Sequence, residues 1–255
     1  MMPLKCARCR PAGMTVILLA VVFLAVGSAR AAHGWLEKGG SLLKTFGGVG
    51  QKTGLTVEEI TAGLQDALRV GSERVVSRLG AVDGFNTDPA VHIPLPKKLE
   101  TVKSALGKIG MADSLKDLEL KLNRAAEAAV PKAKELFRQA IAEMTFDDAQ
   151  AIYNGAEDAA TRYFRDKMSP SLARDMYPVV KSSLSKVGAV QAYEGIMKKY
   201  RSIPLMPEVK ADLNGYVVEK GMDGIFHYMA MEEAAIRRDP AKRTTELLKR
   251  VFGSK

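Results

Sequence analysis

The residues with the most potential for chemistry lie in the stretch 123–165, where charged side chains occur among alanines. On a helix, Asn123 and Arg124 lie within one turn of Glu127, so either can contact that carboxylate at three- or four-residue spacing. A second set with helical spacing follows in the same stretch. It consists of Asp158, Thr161, Arg162 and Arg165, with Tyr163 beside them. If the two helices face each other, the two sets form one polar cluster.

This polar cluster has a functional and a structural interpretation. It can be a pocket for a small anionic ligand or a metal ion, and a weaker alternative is an enzyme that uses Arg124, Glu127 and Asp158. We favour a buried Arg–carboxylate network that fixes the register of the helices, because buried polar groups must be paired whatever their role. We therefore predict no catalytic and no metal-binding residues, and we keep both sets as candidate ligand-binding residues.

Two histidines complete the candidate ligand-binding residues. His92 lies among apolar residues of a proline-rich segment, and no second histidine stands at ligand spacing, which favours a structural histidine. His227 lies in the Met- and aromatic-rich segment 213–238, for which core packing is favoured and a lipid-lined cavity is the alternative. Neither histidine has a glutamate three residues before it, which excludes the di-iron bundle pattern.

Other catalytic and cofactor motifs are not found. The segment 50–53 resembles a phosphate-binding loop, but Gln51 stands where the motif needs glycine. No G-x-S-x-G motif of the α/β-hydrolases is present. Adjacent Asp147 and Asp148 diverge by about 100° on a helix and suit its first turn, where carboxylates favour the positive end of the dipole. We predict no cofactor.

The first 31 residues have the three parts of a secretory signal. Three basic residues precede the apolar run Val16–Val26, and small residues follow around Ala31. The run of eleven residues is too short for a hydrocarbon core that needs about 20. We predict cleavage near Ala31, export to the periplasm and no membrane span in the mature chain. No cysteine follows the apolar run, which argues against a lipoprotein.

Removal of this segment changes the composition. Cys6 and Cys9 leave with the signal, so the mature chain has no cysteine for disulfides, thiolate catalysis or Cys-ligated zinc. The net charge of +9 falls to about +5, since four of the 38 basic residues and no acid lie in the first 31 positions. The remaining basic residues are interspersed with acids, so a nucleic-acid partner is not predicted.

The mature chain is predicted to be all-α, with eight to ten helices in a single compact domain over 55–255, after a flexible Gly-rich tether at 32–54. Alternating strand patterns are absent. The predicted features, in chain order, are a helix Val57–Leu79 with a capping box at Thr56 and Glu59, a packed loop 84–96, either a kinked helix or two abutting helices at Pro131, a left-handed residue after Asn154, a new helix at Ser169–Pro170, a helix Leu213–Arg238 and a last helix capped by Asp239.

The predicted last helix, 240–252, is basic and amphipathic. Such a helix can contact an anionic membrane as a peripheral element, but in a compact helical domain it more often closes the core.

Five short blocks of sequence carry a resemblance to a known family. These blocks are NRAAE at 123–127, DAAT-x-YF at 158–164, HIPLP at 92–96, DGIF at 223–226 and DP-x-x-RTT-x-LLK at 239–249. With them the chain resembles the proteobacterial family of domain of unknown function 4197, over about 55–252. The resemblance implies a helical bacterial envelope protein and no particular activity. Some members look like lipoproteins, and this chain departs from them by lacking the cysteine.

These observations lead to three hypotheses of function. The first is a non-enzymatic periplasmic protein that binds an unknown envelope protein or a small ligand, since no nucleophile, base or metal set converges in the sequence. The second is a carrier of a lipid or other hydrophobic ligand that uses the segment 213–238. The third is the enzyme that uses the polar cluster.

Overall fold

Capping residues set the boundaries of the two helices that the sequence predicts most sharply. Thr56 and Glu59 form a reciprocal capping box, in which the Glu59 N–H donates to the Thr56 hydroxyl and the Thr56 N–H donates to the Glu59 carboxylate. At the other end of the sequence, the Asp212 carboxylate accepts from the Gly215 N–H. The predicted bounds of both helices, Val57–Leu79 and Leu213–Arg238, are confirmed.

The computed structural model describes residues 56–239, together with 249 and 251. Its helices are α1 (Val57–Leu79), α2 (Glu100–Gly107), α3 (Ala112–Ala129), α4 (Lys132–Ala142), α5 (Phe146–Asn154), α6 (Ala159–Lys186), α7 (Ala189–Arg201) and α8 (Leu213–Arg238), with a 3-10 turn at Lys97–Leu99. The described residues contain no strand, and the predicted all-α class is confirmed. Seven of these helices have nine residues or more, fewer than the eight to ten predicted.

Three helices form the centre of the fold. Helices α3, α6 and α8 contact one another. Helix α1 packs on α8, α4 and α5. Helix α7 covers α3 and α6, and the short α2 contacts α3 and α7. The described residues belong to one compact unit. The contact between α4 and α6 includes an edge-to-face pair of Phe137 and Phe164, whose ring centroids lie 5.1 Å apart. Buried apolar side chains from these helices form the core.

The proline-rich segment 84–96 is an irregular loop between α1 and the 3-10 turn. Four of its apolar side chains are buried: Phe85, Val91, Ile93 and Leu95. The prediction that this loop packs against the domain is therefore confirmed. Its backbone lacks a helix or sheet to pair with, so its polar groups need partners from elsewhere.

The prediction of a new helix at Ser169 and Pro170 is wrong, because α6 runs without interruption through Pro170 and Pro178. Both prolines lie on the exposed side of the helix. The carbonyls they leave unpaired, at Asp166 and Arg174, therefore face water. The buried side of α6 is continuous across both prolines, so packing against α3 and α8 outweighs the local preference for a break.

The left-handed residue predicted after Asn154 is also wrong. Gly155 has a φ of −78° and an extended backbone. Glycine is needed there for close approach, because a Cβ would lie 2.7 Å from both the Ala151 carbonyl oxygen and the Ala159 Cβ. At Pro131 the structure has the second of the two predicted arrangements, because α3 and α4 are two abutting helices.

Several predictions fall outside the described residues, namely the signal 1–31, the tether 32–54 and most of the last helix 240–252. Of that last segment only Lys249 and Val251 are described, and both are helical. None of the helices in the described part of the chain is both long and apolar enough to cross a bilayer.

Candidate functional site

The first candidate set lies on the side of α3 that faces the loop 84–96. Glu119, Asn123 and Glu127 follow one another at four-residue spacing, which places them in one row along the helix. All three direct polar side-chain atoms to the loop, and we call this row the α3 polar stripe. It supplies the partners that the irregular backbone of the loop requires.

Glu127 holds the start of the loop. Its Oε1 accepts hydrogen bonds from the backbone N–H groups of Phe85, at 3.1 Å, and of Asn86, at 3.2 Å. Its Oε2 accepts from the Arg124 guanidinium at 2.8 Å, and the same guanidinium donates to Asp83 at 2.8 Å. Since Glu127 is buried, all of these partners compensate for the loss of water around its carboxylate.

Asn123 and Glu119 hold the rest of the loop. The Asn123 amide accepts from the Ile93 N–H and donates to the Ile93 carbonyl, both at 2.9 Å. The Glu119 carboxylate accepts from the Leu95 N–H at 3.1 Å and lies 2.9 Å from Nε2 of His92. Nδ1 of His92 lies 2.8 Å from the Asn86 carbonyl oxygen. Both ring nitrogens of this candidate residue are therefore engaged within the loop and the stripe.

Electrostatics favour the charged forms of the ion pair next to the stripe. The hydrogen bond that Arg124 donates to Glu127 raises the pKa of the Arg124 guanidinium, and the bond it donates to Asp83 adds to this effect. Hydrogen bonds from Asn86 and then Arg124 lower the pKa of the Asp83 carboxyl. Both groups therefore stay charged, and their contacts tie the end of α1 to α3 through the loop.

The second candidate set lies at the start of α6 and contacts α8. The Glu233 carboxylate accepts from the N–H groups of Ala160, at 3.0 Å, and Thr161, at 2.9 Å, and from the Thr161 hydroxyl at 2.9 Å. These are backbone donors of the first turn, which have no partner inside their own helix. A buried glutamate from α8 therefore caps the N-terminus of α6.

Arg237, one turn farther along α8, completes this arrangement. It donates to Glu233 at 2.9 Å and to the Ile152 carbonyl, at the end of α5, at 2.7 Å. One ion pair of α8 thus contacts the last turn of α5 and the first turn of α6. Asp158, in the connection between them, pairs with Arg162 at 2.9 Å and makes no side-chain capping bond.

Among the described residues, no hydrogen bond or ion pair joins the two candidate sets. The two sets therefore do not form the single polar cluster considered above, although α3 and α6 do contact each other. The first set bonds to the backbone of the loop, whereas the first turn of α6 in the second set donates to the Glu233 side chain of α8. Sequence reasoning missed Glu233 as the central residue of the second set. Its four-residue spacing to Arg237 was the available signal.

The remaining candidates lie apart from one another. The Tyr163 hydroxyl donates to the Ala140 carbonyl at 3.3 Å, and its ring lines a cavity of about 270 Å³ between α4 and α6. Arg165 is exposed, lies 3.7 Å from Asp223 and stacks over the Phe226 ring at 4.7 Å. His227 is exposed, and its ring meets Tyr228 edge to face at 5.3 Å.

An open cleft of about 510 Å³ lies on the outer side of the loop. Its lining consists of Arg78, Val82, Asp83, Gly84, Thr87, Asp88 and Pro89. Arg78 donates to Asp88 and to the Tyr228 hydroxyl, each at 2.8 Å, and the Tyr228 hydroxyl donates to Asp88. The bond from Tyr228, followed by that from Arg78, lowers the pKa of Asp88. Burial, followed by the bond to Asp88, raises the pKa of Tyr228.

The Met- and aromatic-rich helix α8 is closely packed at its two buried glycines. A Cβ at Gly224 would lie 2.7 Å from the Phe85 ring, and one at Gly221 would lie 3.0 Å from the Met176 methyl group. The loop and α6 therefore fill the space along this face. Within the described residues, no group of His, Cys, Asp and Glu side chains is arranged to hold a metal ion.

Comparison with known proteins gives one match. The model of a family described as "Protein of unknown function (DUF4197)" matches residues 54–253, which confirms the resemblance predicted from the five blocks. The match covers both candidate sets, the loop and the cleft. Comparisons with curated proteins and with solved structures give no match.

Proposed function

The chain belongs to the DUF4197 family, and we propose that it is a non-enzymatic binding protein of the periplasm. It recognises a partner protein of the envelope with the open cleft on the outer side of the loop, which is centred on residues 82–89. The observation that carries this proposal is the α3 polar stripe, in which three side chains of one helix hold a single irregular loop in one conformation. Export follows from the N-terminal sequence pattern.

The use of buried polar residues for this purpose supports a binding role. An ion pair or amide taken out of water is less stabilising than apolar packing of the same volume, so the stripe contributes specificity of conformation rather than stability. A loop that is already ordered loses less entropy when a partner binds. Rigid scaffolds that present loops are a common arrangement for recognition. The stripe therefore prepares the loop for contact from outside.

The cleft has the mixed character of a protein-binding surface. Val82 is 77% exposed, and the side chain of Arg78 is 57% exposed next to the carboxylates of Asp83 and Asp88. An exposed aliphatic side chain between charges of both signs suits a segment of a partner protein better than a ligand of a single charge. A small polar ligand is the alternative occupant.

The other two hypotheses receive less support. Of the three residues that the enzyme hypothesis uses, Glu127 accepts from backbone groups of the loop, Arg124 donates to Asp83 and Glu127, and Asp158 pairs with Arg162. The helix that a lipid carrier would use is closely packed at Gly221 and Gly224. The cleft, in contrast, is open and lies on the surface.

Site-specific photo-cross-linking in intact cells tests the proposal. A photoreactive amino acid replaces Val82, and a matched variant carries it in place of Tyr177, which is also exposed but lies on α6. We expect one discrete protein adduct from position 82, none from position 177, and loss of the adduct when Arg78→Glu is added. Equal adducts at both positions, or none at position 82, would overturn the proposed surface.

Two further measurements separate the parts of the proposal. The mass of the protein from the periplasmic fraction should correspond to a chain that begins near residue 32, and an uncleaved cytoplasmic chain would contradict export. In a broad hydrolase screen the purified mature protein should show no turnover. Turnover that Glu127→Gln abolishes, without loss of folding, would favour the enzyme hypothesis instead.

A further inference from the structure

The connection between α7 and α8 carries an exposed apolar tip. The Leu205 side chain is 100% exposed and its neighbour Met206 is 38% exposed. The backbone φ of Leu205 is +64°, in the left-handed region that residues other than glycine, asparagine and aspartate rarely adopt. The tip thus combines full exposure of a large apolar side chain with an unfavourable backbone conformation. Strained backbone conformations of this kind cluster at functional sites.

The two ends of the connection are anchored, so the tip projects from a fixed base. Ile203 and Val209, on either side of the tip, are partly buried against the core. The Ala211 N–H donates to the Tyr193 hydroxyl of α7 at 3.2 Å. Pro204 and Pro207 further restrict the backbone next to Leu205 and Met206. The outward position of the two apolar side chains is therefore built into the connection.

Basic residues flank the tip in sequence, on the last turn of α7 and just after the tip. Lys198, Lys199 and Arg201 lie in the last turn of α7 and are exposed. None of the three forms an ion pair with another residue in the part of the chain that the structure describes. Lys210 follows the tip and pairs with Glu208 at 2.9 Å. Residues 198–210 thus carry four cations and one carboxylate, an excess of positive charge within this segment, while Lys199 also lines a cleft with Asp113 and Asp117 of α3.

We propose that this tip inserts into the surface of an anionic phospholipid bilayer. Leu205 and Met206 enter the boundary between headgroups and acyl chains, and Lys198, Lys199 and Arg201 contact the lipid phosphates. An apolar element with a basic border is the combination that binds anionic membrane surfaces. Two apolar side chains are too few for the core of a stable protein interface, which favours a lipid surface as the occupant.

This inference goes beyond the proposed function, because none of its residues lines the cleft at 78–89. It also concerns a different segment from the basic helix predicted at 240–252. The two proposals can therefore fail separately.

Vesicle co-sedimentation of the mature protein tests the inference. We expect binding to vesicles that contain phosphatidylglycerol and not to pure phosphatidylcholine vesicles, with binding weakened by added salt. Leu205→Gly should lower the affinity by about tenfold or more, since the apolar side chain is lost. Because glycine favours the positive φ, this variant should unfold at no lower temperature than the wild type. Met231→Ser, which removes a 51% exposed apolar side chain on α8, is the matched control and should bind like the wild type.

Charge variants complete the test. Replacement of Lys198 and Lys199 by glutamine should lower affinity by about fivefold for each lysine and reduce the dependence on salt. Equal binding of the wild type to neutral vesicles, or no binding at all, would overturn the proposal. The same holds if Leu205→Gly binds like the wild type. Self-association that Leu205→Gly abolishes, without vesicle binding, would assign the tip to a second copy of the chain instead.

Discussion

The side-chain amide of Asn123 pairs with both backbone polar groups of Ile93, since it accepts from the N–H and donates to the carbonyl, each at 2.9 Å. Both residues are fully buried. A neighbouring strand would offer the backbone a donor and an acceptor in the same way, and here one side chain of α3 takes that role. Together with Glu119 and Glu127, this contact explains how a loop with three prolines stays packed inside a helical domain.

Glu127→Ala should destabilise the protein by about 3 kcal/mol, because the buried N–H of Phe85 loses its acceptor and Arg124 loses one of its two carboxylates. Chemical denaturation measures this change. The matched control is Glu135→Ala, which breaks an exposed ion pair with Arg138 and should leave the free energy of unfolding nearly unchanged, because water and salt screen such a pair. Similar losses for both variants would contradict a structural role for the stripe.

Glu233→Ala should cost about 3 kcal/mol as well, since three donors at the start of α6 and the guanidinium of Arg237 lose their acceptor. The neighbouring Glu232, whose contact with Arg74 is 3.5 Å long and partly exposed, provides the control. Glu232→Ala should cost about 0.5 kcal/mol. Equal losses of unfolding free energy in Glu233→Ala and Glu232→Ala would contradict a stabilising role for the cap that Glu233 forms on α6.

Gly224→Ala should destabilise the protein by about 1–3 kcal/mol, because the added methyl group would lie 2.7 Å from the buried Phe85 ring and force the loop to move. Gly195→Ala makes the same change inside α7, where nothing lies within 4 Å of the new Cβ. It should stabilise by about 0.5–1 kcal/mol through helix propensity. Thermal unfolding of the two variants should therefore shift in opposite directions, and a shared direction would exclude close packing of the loop on α8.

The stability of the cleft should depend on pH through Asp88, whose pKa is lowered mainly by the hydrogen bond from Tyr228. A carboxyl whose pKa is lowered in the folded state stabilises the fold at pH values above its pKa in the unfolded chain, which is about 4. This stabilisation is lost as the pH falls through the pKa that the carboxyl has in the folded state. Tyr228→Phe should therefore destabilise most at neutral pH and progressively less between pH 5 and about 3.

Tyr177→Phe supplies the control for this pH series, because Tyr177 is exposed on α6 and is not a hydrogen-bond partner of Asp88 among the described residues. Its effect on the free energy of unfolding should be the same at every pH. A constant effect of Tyr228→Phe across the same range would contradict the link between Tyr228 and Asp88.

Local signals in the sequence were sufficient for α1 and α8. The capping box at Thr56 marks the start of α1 and the helical periodicity of 213–238 marks α8, and both helices have the predicted bounds. Local signals failed where packing decides the conformation. Pro170 predicts the start of a new helix, but it lies, like Pro178, on the exposed side of a helix whose other side is buried without interruption.

The candidate site was predictable only in part for the same reason. Asn123 and Glu127 stand out in the sequence, but their partners lie 30 and 42 residues earlier, in a loop without periodic structure. Thr161 bonds to Glu233, 72 residues later. Such pairs depend on the approach of distant elements, which spacing within one helix does not reveal. The sequence thus identifies which polar residues are unusual, and the fold determines which groups they form hydrogen bonds with.

Amide hydrogen exchange of the loop 84–96 tests the central claim most directly, because it reports the hydrogen bonds that the α3 polar stripe makes. In the wild type, the amides of Phe85, Ile93 and Leu95 should exchange slowly, like those of the core helices. In Asn123→Ala the Ile93 amide should exchange at least about tenfold faster, while amides in the middle of α6 keep their rates at the same denaturant concentration. Fast exchange of these three loop amides in the wild type, or no change at Ile93 in the variant, would contradict the account.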